Sequence, residues 1–223
     1  MQALGFFMVA ALPLFGFSAI QDTKDAKDTK DKKEVVKVEA TKGAELGKPA
    51  PAFELKDLDG KAVKLADFKD KIVVLEWFNP GCPYVKYAYS DGKIQDVQSK
   101  ATKDGIVWLA INSGAAGKEG AGAEANKKAR DDWKLSHPIL LDESGEVGMK
   151  YGAKTTPHIF VIDQKGNLVY RGALDNAPNG NVEGGGAKTN YVEAAIADIK
   201  ANKPVATKET KSYGCSVKYG VKT

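Results

Sequence analysis

The feature that most constrains this chain is the stretch 72–86, whose sequence is Ile-Val-Val-Leu-Glu-Trp-Phe-Asn-Pro-Gly-Cys-Pro-Tyr-Val-Lys. Its apolar, β-branched beginning is typical of a strand that is buried on both faces. The turn formers Asn-Pro-Gly at 79–81 then end the strand, and Pro83 suits the first position of a helix. The stretch therefore predicts a strand, a tight turn and a helix that carries Cys82 at its N-terminus.

A thiol at a helix N-terminus has a chemical consequence. Unpaired backbone N–H groups and the positive end of the helix dipole favour an anion at this position. The anion of a cysteine is the thiolate, which is its reactive form. The pattern therefore predicts that Cys82 is a nucleophile, and the alternative is a small apolar residue buried in a turn.

Bulk composition excludes several classes of function. The 223 residues carry 33 basic and 29 acidic side chains, so the near-balance of charge argues against a nucleic-acid-binding face. Two cysteines are too few for a disulfide-stapled scaffold but are compatible with one bridge. Two histidines and two distant cysteines give no ligand-spaced cluster, and no phosphate-binding glycine loop is present. We therefore expect neither a metal nor another cofactor.

The chain is predicted to have three parts. Residues 1–20 are almost wholly apolar and predict a secretory signal peptide, with an uncleaved membrane anchor as the alternative. Residues 21–45 are rich in Lys, Asp, Thr and Glu, which predicts a solvated, disordered linker. Residues 46–218 form the globular domain. Both a cleaved signal peptide and an uncleaved anchor predict an exported protein, periplasmic or secreted. Membrane contact is predicted only through the uncleaved anchor.

Within the globular part, strands and helices alternate and are followed by a hairpin and a closing helix, which predicts a three-layer α/β sandwich. The glycine-rich segments 113–123 and 176–188 are predicted to be loops, the first of them mobile. Strands are predicted at 53–55, 63–65, 72–78, 106–112, 138–142, 159–163 and 168–171. Helices are predicted at 83–100, with a break near 91–92, and at 124–133, 147–151 and 191–201.

Two motifs give the chain a resemblance to a known family. The run Trp-Phe-Asn-Pro-Gly-Cys-Pro-Tyr-Val at 77–85 and the run Thr-Thr-Pro-His-Ile-Phe-Val-Ile-Asp at 155–163 resemble thioredoxin-fold proteins. With Gly-Cys-Pro-Tyr-Val-Lys at 81–86 and Tyr-Gly-Cys-Ser-Val-Lys at 213–218, they are most similar to the redoxin branch related to alkyl hydroperoxide reductase and thiol-specific antioxidant proteins. The resemblance implies a thioredoxin-like sandwich with a central mixed sheet and flanking helices.

The same resemblance implies an oxidoreductase, either a thiol-disulfide oxidoreductase or a peroxiredoxin-like antioxidant. Such an enzyme uses a disulfide or peroxide substrate and an external thiol reductant. It also implies that Cys82 is the nucleophile, that Pro157 follows a cis bond and that the backbone of Thr156 pairs with an incoming substrate strand. Glu76 corresponds to the buried carboxylate that handles protons behind the nucleophile, and its alternative interpretation is an edge or surface residue. The oligomeric state is not predicted.

The chain departs from the family pattern at two places. Thioredoxins carry a second cysteine three residues after the first, and Val85 occupies that position, so a local dithiol–disulfide cycle is impossible. Peroxiredoxins carry Thr or Ser three residues before the nucleophile and Pro four residues earlier, where this chain has Asn79 and Leu75. An amide at 79 cannot reproduce a hydroxyl, which both donates and accepts through a single oxygen atom.

The second thiol, Cys215, lies beyond the last predicted helix in a small, flexible setting. Three interpretations remain open. Cys215 resolves Cys82 after its oxidation to sulfenic acid, or forms a permanent structural bridge with Cys82, or pairs between molecules or stays free. The competing hypothesis for the whole protein is a non-catalytic peptide-binding module in which Cys82 and Cys215 form a structural disulfide.

Other side chains near the motifs are secondary candidates. Tyr84 and Asn79 are predicted to line a substrate groove beside the thiol. His158 is predicted to contact substrate and, as an imidazolium, to lower the pKa of Cys82, with a strand residue near solvent as the alternative. Arg130 and Arg171 are predicted to form surface ion pairs.

Overall fold

The strand predicted within the stretch 72–86 is present, and every residue of Val73–Trp77 is buried. The computed structural model describes residues 43–182 and 184–220. The predicted signal or anchor at 1–20 lies outside the described residues, as does all of the predicted linker except its last three residues. Within the described part, no helix is both long enough and apolar enough to cross a membrane.

The elements follow the predicted order. The strands of the described residues are β1 Glu54–Asp57, β2 Ala62–Lys64, β3 Val73–Trp77, β4 Val107–Asn112, β5 Ile139–Leu141, β6 Thr155–Thr156, β7 His158–Ile162, β8 Leu168–Gly172 and β9 Cys215–Ser216. The helices are α1 Pro83–Ser90, α2 Ile94–Lys103, α3 Gly122–Asp132, α4 Glu146–Tyr151 and α5 Tyr191–Lys200, with 3-10 turns at Leu65–Phe68 and Pro178–Gly180.

Seven strands form a mixed sheet in the order β2-β1-β5-β4-β3-β7-β8. The three strands β3, β4 and β5 run parallel, and the other pairings are antiparallel. Apolar side chains of α1, α2, α3 and α5 pack on one face, and those of α4 pack on the other. This arrangement confirms the predicted sandwich with a central mixed sheet and flanking helices.

The predicted helix break is real and has a local cause. The helix α1 ends at Ser90, and α2 begins at Ile94 after a residue, Lys93, in the left-handed region at φ 58°. A side chain at Gly92 would press against the backbone of Ala88, so the chain turns closely around the end of α1. The break lets Ile94 return to the core, where it is fully buried.

Two strands of the fold were not predicted. They are β6 and β9, each of two residues, and they pair with each other in a small antiparallel sheet outside the main one. A two-residue strand is too short to show the alternation of apolar and polar residues that identifies a strand in a sequence. This small sheet is the part of the fold that assembles the site.

Candidate active site

Cys82 occupies the N-cap position of α1, directly after the turn that leaves β3. Its backbone N–H donates to the carbonyl oxygen of Asn79 at 3.0 Å, which closes the turn. Its side chain is only 3 % exposed, and its Sγ donates to the carbonyl oxygen of Thr156 at 3.0 Å. The thiol is therefore at the predicted helix N-terminus, but it lies beneath a neighbouring segment rather than at an open loop end.

Asn79 shapes the turn in front of the thiol. Its Oδ1 accepts from the backbone N–H of Gly81 at 2.7 Å, and its Nδ2 donates to the carbonyl oxygen of Glu119 at 2.9 Å. A side chain at Gly120 would overlap the amide of Asn79, so the loop and the turn are in close contact. Both polar atoms of Asn79 are engaged within the protein, which differs from the predicted contact with substrate.

The segment over Cys82 is the one that contains the predicted cis-proline. The Thr156–Pro157 bond is cis, as predicted. The strand β6 ends at Thr156, whose carbonyl oxygen accepts from Cys82 and whose hydroxyl is buried without a hydrogen-bond partner among the described residues. A buried hydroxyl without a partner is available to a sulfur anion next to it, since it can donate to a thiolate.

Cys215 is brought to Cys82 by the pairing of β9 with β6. In that register Cys215 lies opposite Thr156, and Ser216 lies opposite Thr155. Both cysteines are free thiols, and each changes the pKa of the other. Cys82 is buried, whereas Cys215 is of intermediate exposure. The two thiols therefore share one site although nothing local in the sequence connects them.

The environment makes the two thiols unequal. Burial alone would raise the pKa of Cys82. Hydrogen bonds that its thiolate accepts from the side chains of Cys215 and Thr156 and from the backbone N–H groups of Val85 and Cys215 outweigh burial, so the pKa is lowered. Burial and the hydrogen bond and charge of Cys82 raise the pKa of Cys215 to about 11. Cys82 is consequently the thiol that ionises, and Cys215 is its proton-bearing neighbour.

Residues 208–219, which we call the C-terminal strap, hold Cys215 in place. Before the cysteine, the N–H of Thr210 donates to the carbonyl oxygen of Arg171 at 3.1 Å. The hydroxyl of Tyr213 donates to Oδ1 of the buried Asp175 at 2.7 Å. These contacts attach the strap to the end of β8 and to the loop that follows it.

After the cysteine, the C-terminal strap is attached to different elements. The N–H of Val217 donates to the carbonyl oxygen of Lys154 at 3.0 Å. The N–H of Ala115 donates to the carbonyl oxygen of Lys218 at 2.9 Å, which joins the strap to the loop at 113–121. That loop, predicted to be mobile, is therefore hydrogen-bonded both to the turn at Asn79 and to the strap.

Tyr84 lies beside this arrangement but contacts the protein itself. Its ring centroid is 6.0 Å from that of Tyr213. The side chain of Tyr84 therefore packs against the C-terminal strap, at the place where a substrate groove is predicted.

Glu76 is fully buried, which excludes the surface interpretation. Its Oε2 accepts from Trp108 at 2.9 Å, from Tyr89 at 3.0 Å and from Gln98 at 3.2 Å, while Oε1 has no partner among the described residues. Burial raises the pKa of Glu76 to about 7, and these three hydrogen bonds limit the rise. Glu76 therefore carries a carboxyl group that exchanges a proton near neutral pH.

Tyr89, Gln98 and Trp108 were not identified from the sequence. One signal was available: Tyr89 lies seven residues after Cys82, which is two helical turns and hence the same face of α1. Gln98 and Trp108 give no comparable signal, because an isolated polar residue in a helix and an aromatic in a strand are common. They reach Glu76 from α2 and β4.

The predicted role of His158 as an imidazolium beside Cys82 is wrong. His158 lies on the sheet face of Phe160, with ring centroids 4.5 Å apart, whereas Cys82 packs on the opposite face. Burial, together with the charges of Arg171 and Lys154, lowers the pKa of His158 to about 4, so the ring is neutral at pH 7. It lines a separate cleft of about 700 Å³.

The remaining candidates have simple surroundings. Arg130 forms an exposed ion pair with Asp59 at 3.4 Å, and Arg171 forms one with Glu209 at 2.8 Å, as predicted. Among the residues that the structure describes, no group of three or more His, Cys, Asp or Glu side chains is placed to hold a metal ion. The chemistry that the described site offers is that of its two thiols.

Comparisons with known proteins find thiol-based redox proteins among those similar to this chain. The chain is 29 % identical over 132 residues to thiol-disulfide oxidoreductase ResA of Bacillus thuringiensis subsp. konkukian (strain 97-27), which covers 56 % of this chain and 68 % of the relative. It is 30 % identical over 135 residues to the chloroplastic peroxiredoxin Q of Oryza sativa subsp. japonica, which covers 56 % of this chain and 57 % of the relative.

A solved structure covers more of the chain. The crystal structure of a hypothetical protein from Sinorhizobium meliloti 1021 matches with a TM-score of 0.71 and 29 % identity, covering 81 % of this chain and 97 % of that one. The model of the AhpC/TSA family matches residues 46–171, which include Cys82 and the cis-proline segment but not Cys215. With a thioredoxin-like fold and a family match over more than half of its length, this chain belongs to the AhpC/TSA family.

Proposed function

We propose that this protein is a two-cysteine thiol oxidoreductase in which Cys82 reacts with an oxidised substrate, a peroxide or a disulfide, and Cys215 resolves the product within the same chain. The relatives of this chain, a thiol-disulfide oxidoreductase and a peroxiredoxin, support its assignment as an oxidoreductase. The observation that carries the two-cysteine proposal is the β6–β9 register, which puts a second free thiol, that of Cys215, opposite Thr156, whose carbonyl oxygen accepts from Cys82.

In the first step the Cys82 thiolate is the nucleophile. With a peroxide ROOH, the sulfur attacks the terminal oxygen, the O–O bond breaks, Cys82 becomes a sulfenic acid, and RO⁻ takes a proton and leaves as ROH. With a disulfide, the S–S bond breaks, a mixed disulfide forms on Cys82 and one thiolate leaves. The N-terminus of α1 and the hydrogen bonds to Cys82 favour the thiolate that both routes require.

In the second step Cys215 attacks the modified sulfur of Cys82. From the sulfenic acid, an S–S bond forms, and the thiol proton of Cys215 leaves with the hydroxyl group as water. From the mixed disulfide, the second substrate thiolate is released and takes up that proton. Cys215 starts as a protonated thiol, which agrees with its raised pKa. The product of either route is a Cys82–Cys215 disulfide.

In the third step an external thiol reductant restores both cysteines. We expect its thiolate to attack the sulfur of Cys215, because Cys215 is the more exposed of the two. Cys82 then leaves as a thiolate, and the thiol with the lower pKa is the better leaving group. A second thiol of the reductant cleaves the mixed disulfide, so that two reductant thiols become one disulfide.

Two further residues are assigned as positioning groups. Thr156 lies next to both sulfurs, with its carbonyl oxygen and its buried hydroxyl, at the end of the segment that leads into Pro157. Glu76 acts through the protein, because its hydrogen bond to Tyr89 connects it to the helix that carries Cys82. Its carboxyl group stores a proton near neutral pH.

Two observations argue against the alternative, a peptide-binding module with a permanent disulfide. Both cysteines are free thiols. The edge of β6 that would pair with a peptide is already paired with β9.

Export of the protein is also part of the proposal. Its support is the apolar sequence at 1–20, followed by the charged run at 21–45. Cell fractionation and mass analysis of the N-terminus of the recovered protein test it. Recovery with an intact N-terminus in the cytosol would contradict export.

The two-cysteine mechanism is tested by mass spectrometry. Reduced protein is treated with one equivalent of hydrogen peroxide, alkylated and digested, and we expect one intrachain peptide pair that links Cys82 to Cys215 and disappears on adding a dithiol. The Cys82→Ser variant should form no such pair, and Cys215→Ser should stop at a sulfenic acid on Cys82. An unmodified Cys82, or bridges only between chains, would contradict the proposal.

A further inference from the structure

We infer that the C-terminal strap is a specificity-determining segment: by occupying the edge of β6 it keeps extended peptides away from Cys82, which leaves a small hydroperoxide as the oxidising substrate. This inference rests on the proposed function, because it concerns which substrate reaches the Cys82 thiol.

The edge of β6 is the place where an extended chain meets the thiol. Within the described part of the chain, β6 pairs with β9 alone and is not a strand of the main sheet. The edge of β6 that forms this pairing faces the C-terminal strap. The carbonyl oxygen of Thr156 lies 3.0 Å from the Sγ of Cys82. An extended peptide that added to this edge by backbone pairing would therefore place one residue opposite Thr156 and beside the sulfur.

That position is already taken by the protein's own Cys215, which lies opposite Thr156. The approach of the two segments is unusually close. Gly214 has φ 125°, and a Cβ at this position would overlap the carbonyl group of Thr156. Only glycine allows the strap to lie so close, and no space remains for a second strand between them.

The strap is attached on both sides of this contact. On one side the hydroxyl of Tyr213 donates a hydrogen bond to Asp175, and on the other the N–H of Val217 donates one to the carbonyl oxygen of Lys154. A peptide can pair with β6 only after these bonds open. The population of chains in which the strap is released then limits the apparent rate with any peptide substrate.

A hydroperoxide does not need that opening. Cys82 keeps 3 % of its surface exposed beneath the strap, which suits an oxidant close to the size of water rather than a disulfide within a chain. The oxidant supplies one oxygen atom to the sulfur and leaves as water or an alcohol. Cys215 is already in place to resolve the sulfenic acid, so the strap that excludes a peptide also completes the cycle with a peroxide.

The test compares two alanine substitutions in the full chain, one within the C-terminal strap and one directly after it. Gly214→Ala introduces a side chain where the strap meets Thr156, whereas Gly220→Ala adds one in ordinary contact with Ala115 and serves as the matched control. Two probes are used: hydrogen peroxide, followed as sulfenic acid or disulfide formation, and a ten-residue peptide whose cysteine carries a thionitrobenzoate disulfide, followed by the released chromophore.

We expect the wild type and Gly220→Ala to react readily with peroxide and slowly with the peptide. Gly214→Ala should react with the peptide at least roughly tenfold faster, because the released strap no longer limits access. Since Gly214→Ala also disturbs backbone at a left-handed position, Tyr213→Phe provides a milder release, with a smaller rise in the peptide rate. Circular dichroism establishes that each variant is folded.

The inference is overturned if the wild type, Gly214→Ala and Tyr213→Phe all react equally fast with the peptide while Cys82 is oxidised normally by peroxide. It is also overturned if the wild type prefers the peptide to peroxide. The proposed function fails in a different way, namely when Cys82 is not oxidised by peroxide or when no bond to Cys215 forms. The peptide rate therefore tests the inference, and the oxidation of Cys82 with its bond to Cys215 tests the proposed function, in the same samples.

Discussion

The two thiols of this protein lie in regions of opposite character. Cys82 follows a strand that is buried along its whole length and begins a helix whose inner face is in the core. Cys215, which is of intermediate exposure, lies on a two-residue strand outside the main sheet, in a segment held by separate hydrogen bonds to several elements. One thiol belongs to the core, and the other is attached to it.

This difference suits the two roles that we propose. A nucleophile benefits from a fixed position, because its thiolate must be held against the helix N-terminus and its hydrogen-bond donors. A resolving thiol must move, since the modified sulfur of Cys82 needs space, and a disulfide requires Cβ atoms about 3.8 Å apart with a defined dihedral angle. A strap that can adjust around a rigid nucleophile meets both requirements.

The largest expected effect separates the roles of the two cysteines. Replacing Cys82 by Ser should lower turnover of hydrogen peroxide with a dithiol reductant by at least about a thousandfold, because the nucleophile itself is lost. Replacing Cys215 by Ser should leave one oxidation per chain but slow all later turnovers. Stopped-flow kinetics measure the first oxidation, and steady-state consumption of the reductant measures the rest.

Equal losses in the two variants during the first oxidation would remove the distinction between a fixed nucleophile and an attached resolving thiol. A Cys215→Ser variant that keeps the full steady-state rate would show that the external reductant attacks Cys82 directly. Either result would break the comparison between the two regions.

The same contrast explains what the sequence revealed. The position of Cys82 depends on neighbours in the chain: an apolar strand, turn formers and a proline at the first helical position, all within residues 72–86. The position of Cys215 depends on pairing with β6, which lies far away in the chain. Neither two-residue strand has a recognisable pattern, so the sequence left three interpretations of Cys215 open.

A second expected effect tests the rigidity of the Cys82 region through its buried carboxyl group. Folding raises the pKa of Glu76 from 4.5 to about 7, so between these values the folded state binds more protons than the unfolded state. The free energy of unfolding contributed by Glu76 therefore falls as pH rises through this window. The loss amounts to about 3 kcal/mol once the pH exceeds the folded value.

The Glu76→Gln variant supplies the control, since it keeps an oxygen acceptor for Tyr89 and Trp108 but cannot ionise. Urea unfolding of both proteins from pH 4.5 to above pH 7 should show the wild type losing stability relative to the variant as pH rises. His137 and His158, whose pKa values fall to about 4, are present in both proteins and cancel in the difference. Parallel curves would mean that Glu76 is not held in a rigid, dry site.

The face of the sheet on which a given side chain lies was harder to predict than the positions of the strands and helices themselves. His158 lies in a strand where alternate residues point to opposite faces, so an error of one position exchanges the two environments. The cis bond at Pro157 follows from the resemblance, but the face on which the next side chain lies does not. The ring therefore lies in the cleft beside Arg171 rather than beside Cys82.

A third, smaller effect tests whether the C-terminal strap opens as a unit. Tyr213→Phe removes the hydrogen bond to the buried Asp175, a bond to a charged group worth about 1.5 kcal/mol or more. We expect hydrogen exchange at the amides of Val217 and Ala115, which lie at the other end of the strap contact, to become about tenfold faster. The amides of β3 should exchange at unchanged rates and serve as the internal control. Faster exchange in β3 as well would mean that the strap is part of the core rather than attached to it.

The smallest expected effect concerns how the two regions share the stabilisation of one anion. The pKa of Cys82 is lowered by hydrogen bonds from Cys215 and, to a lesser extent, from Thr156. Cys215→Ala should therefore raise the pKa of Cys82, and Thr156→Val, which keeps the shape of the side chain and the backbone pairing, should raise it less. The rate of alkylation of Cys82 as a function of pH measures both shifts. The Thr156→Val variant retains Cys215, so alkylation of Cys215 is measured separately and subtracted.

If Thr156→Val caused the larger rise in the pKa of Cys82, the thiolate would be stabilised mainly by the segment fixed to the core. Release of the strap would then leave Cys82 almost as reactive as before. If neither variant changed the pKa, the N-terminus of α1 and the N–H of Val85 would account for the ionisation, and the strap would control access to Cys82 without tuning its chemistry.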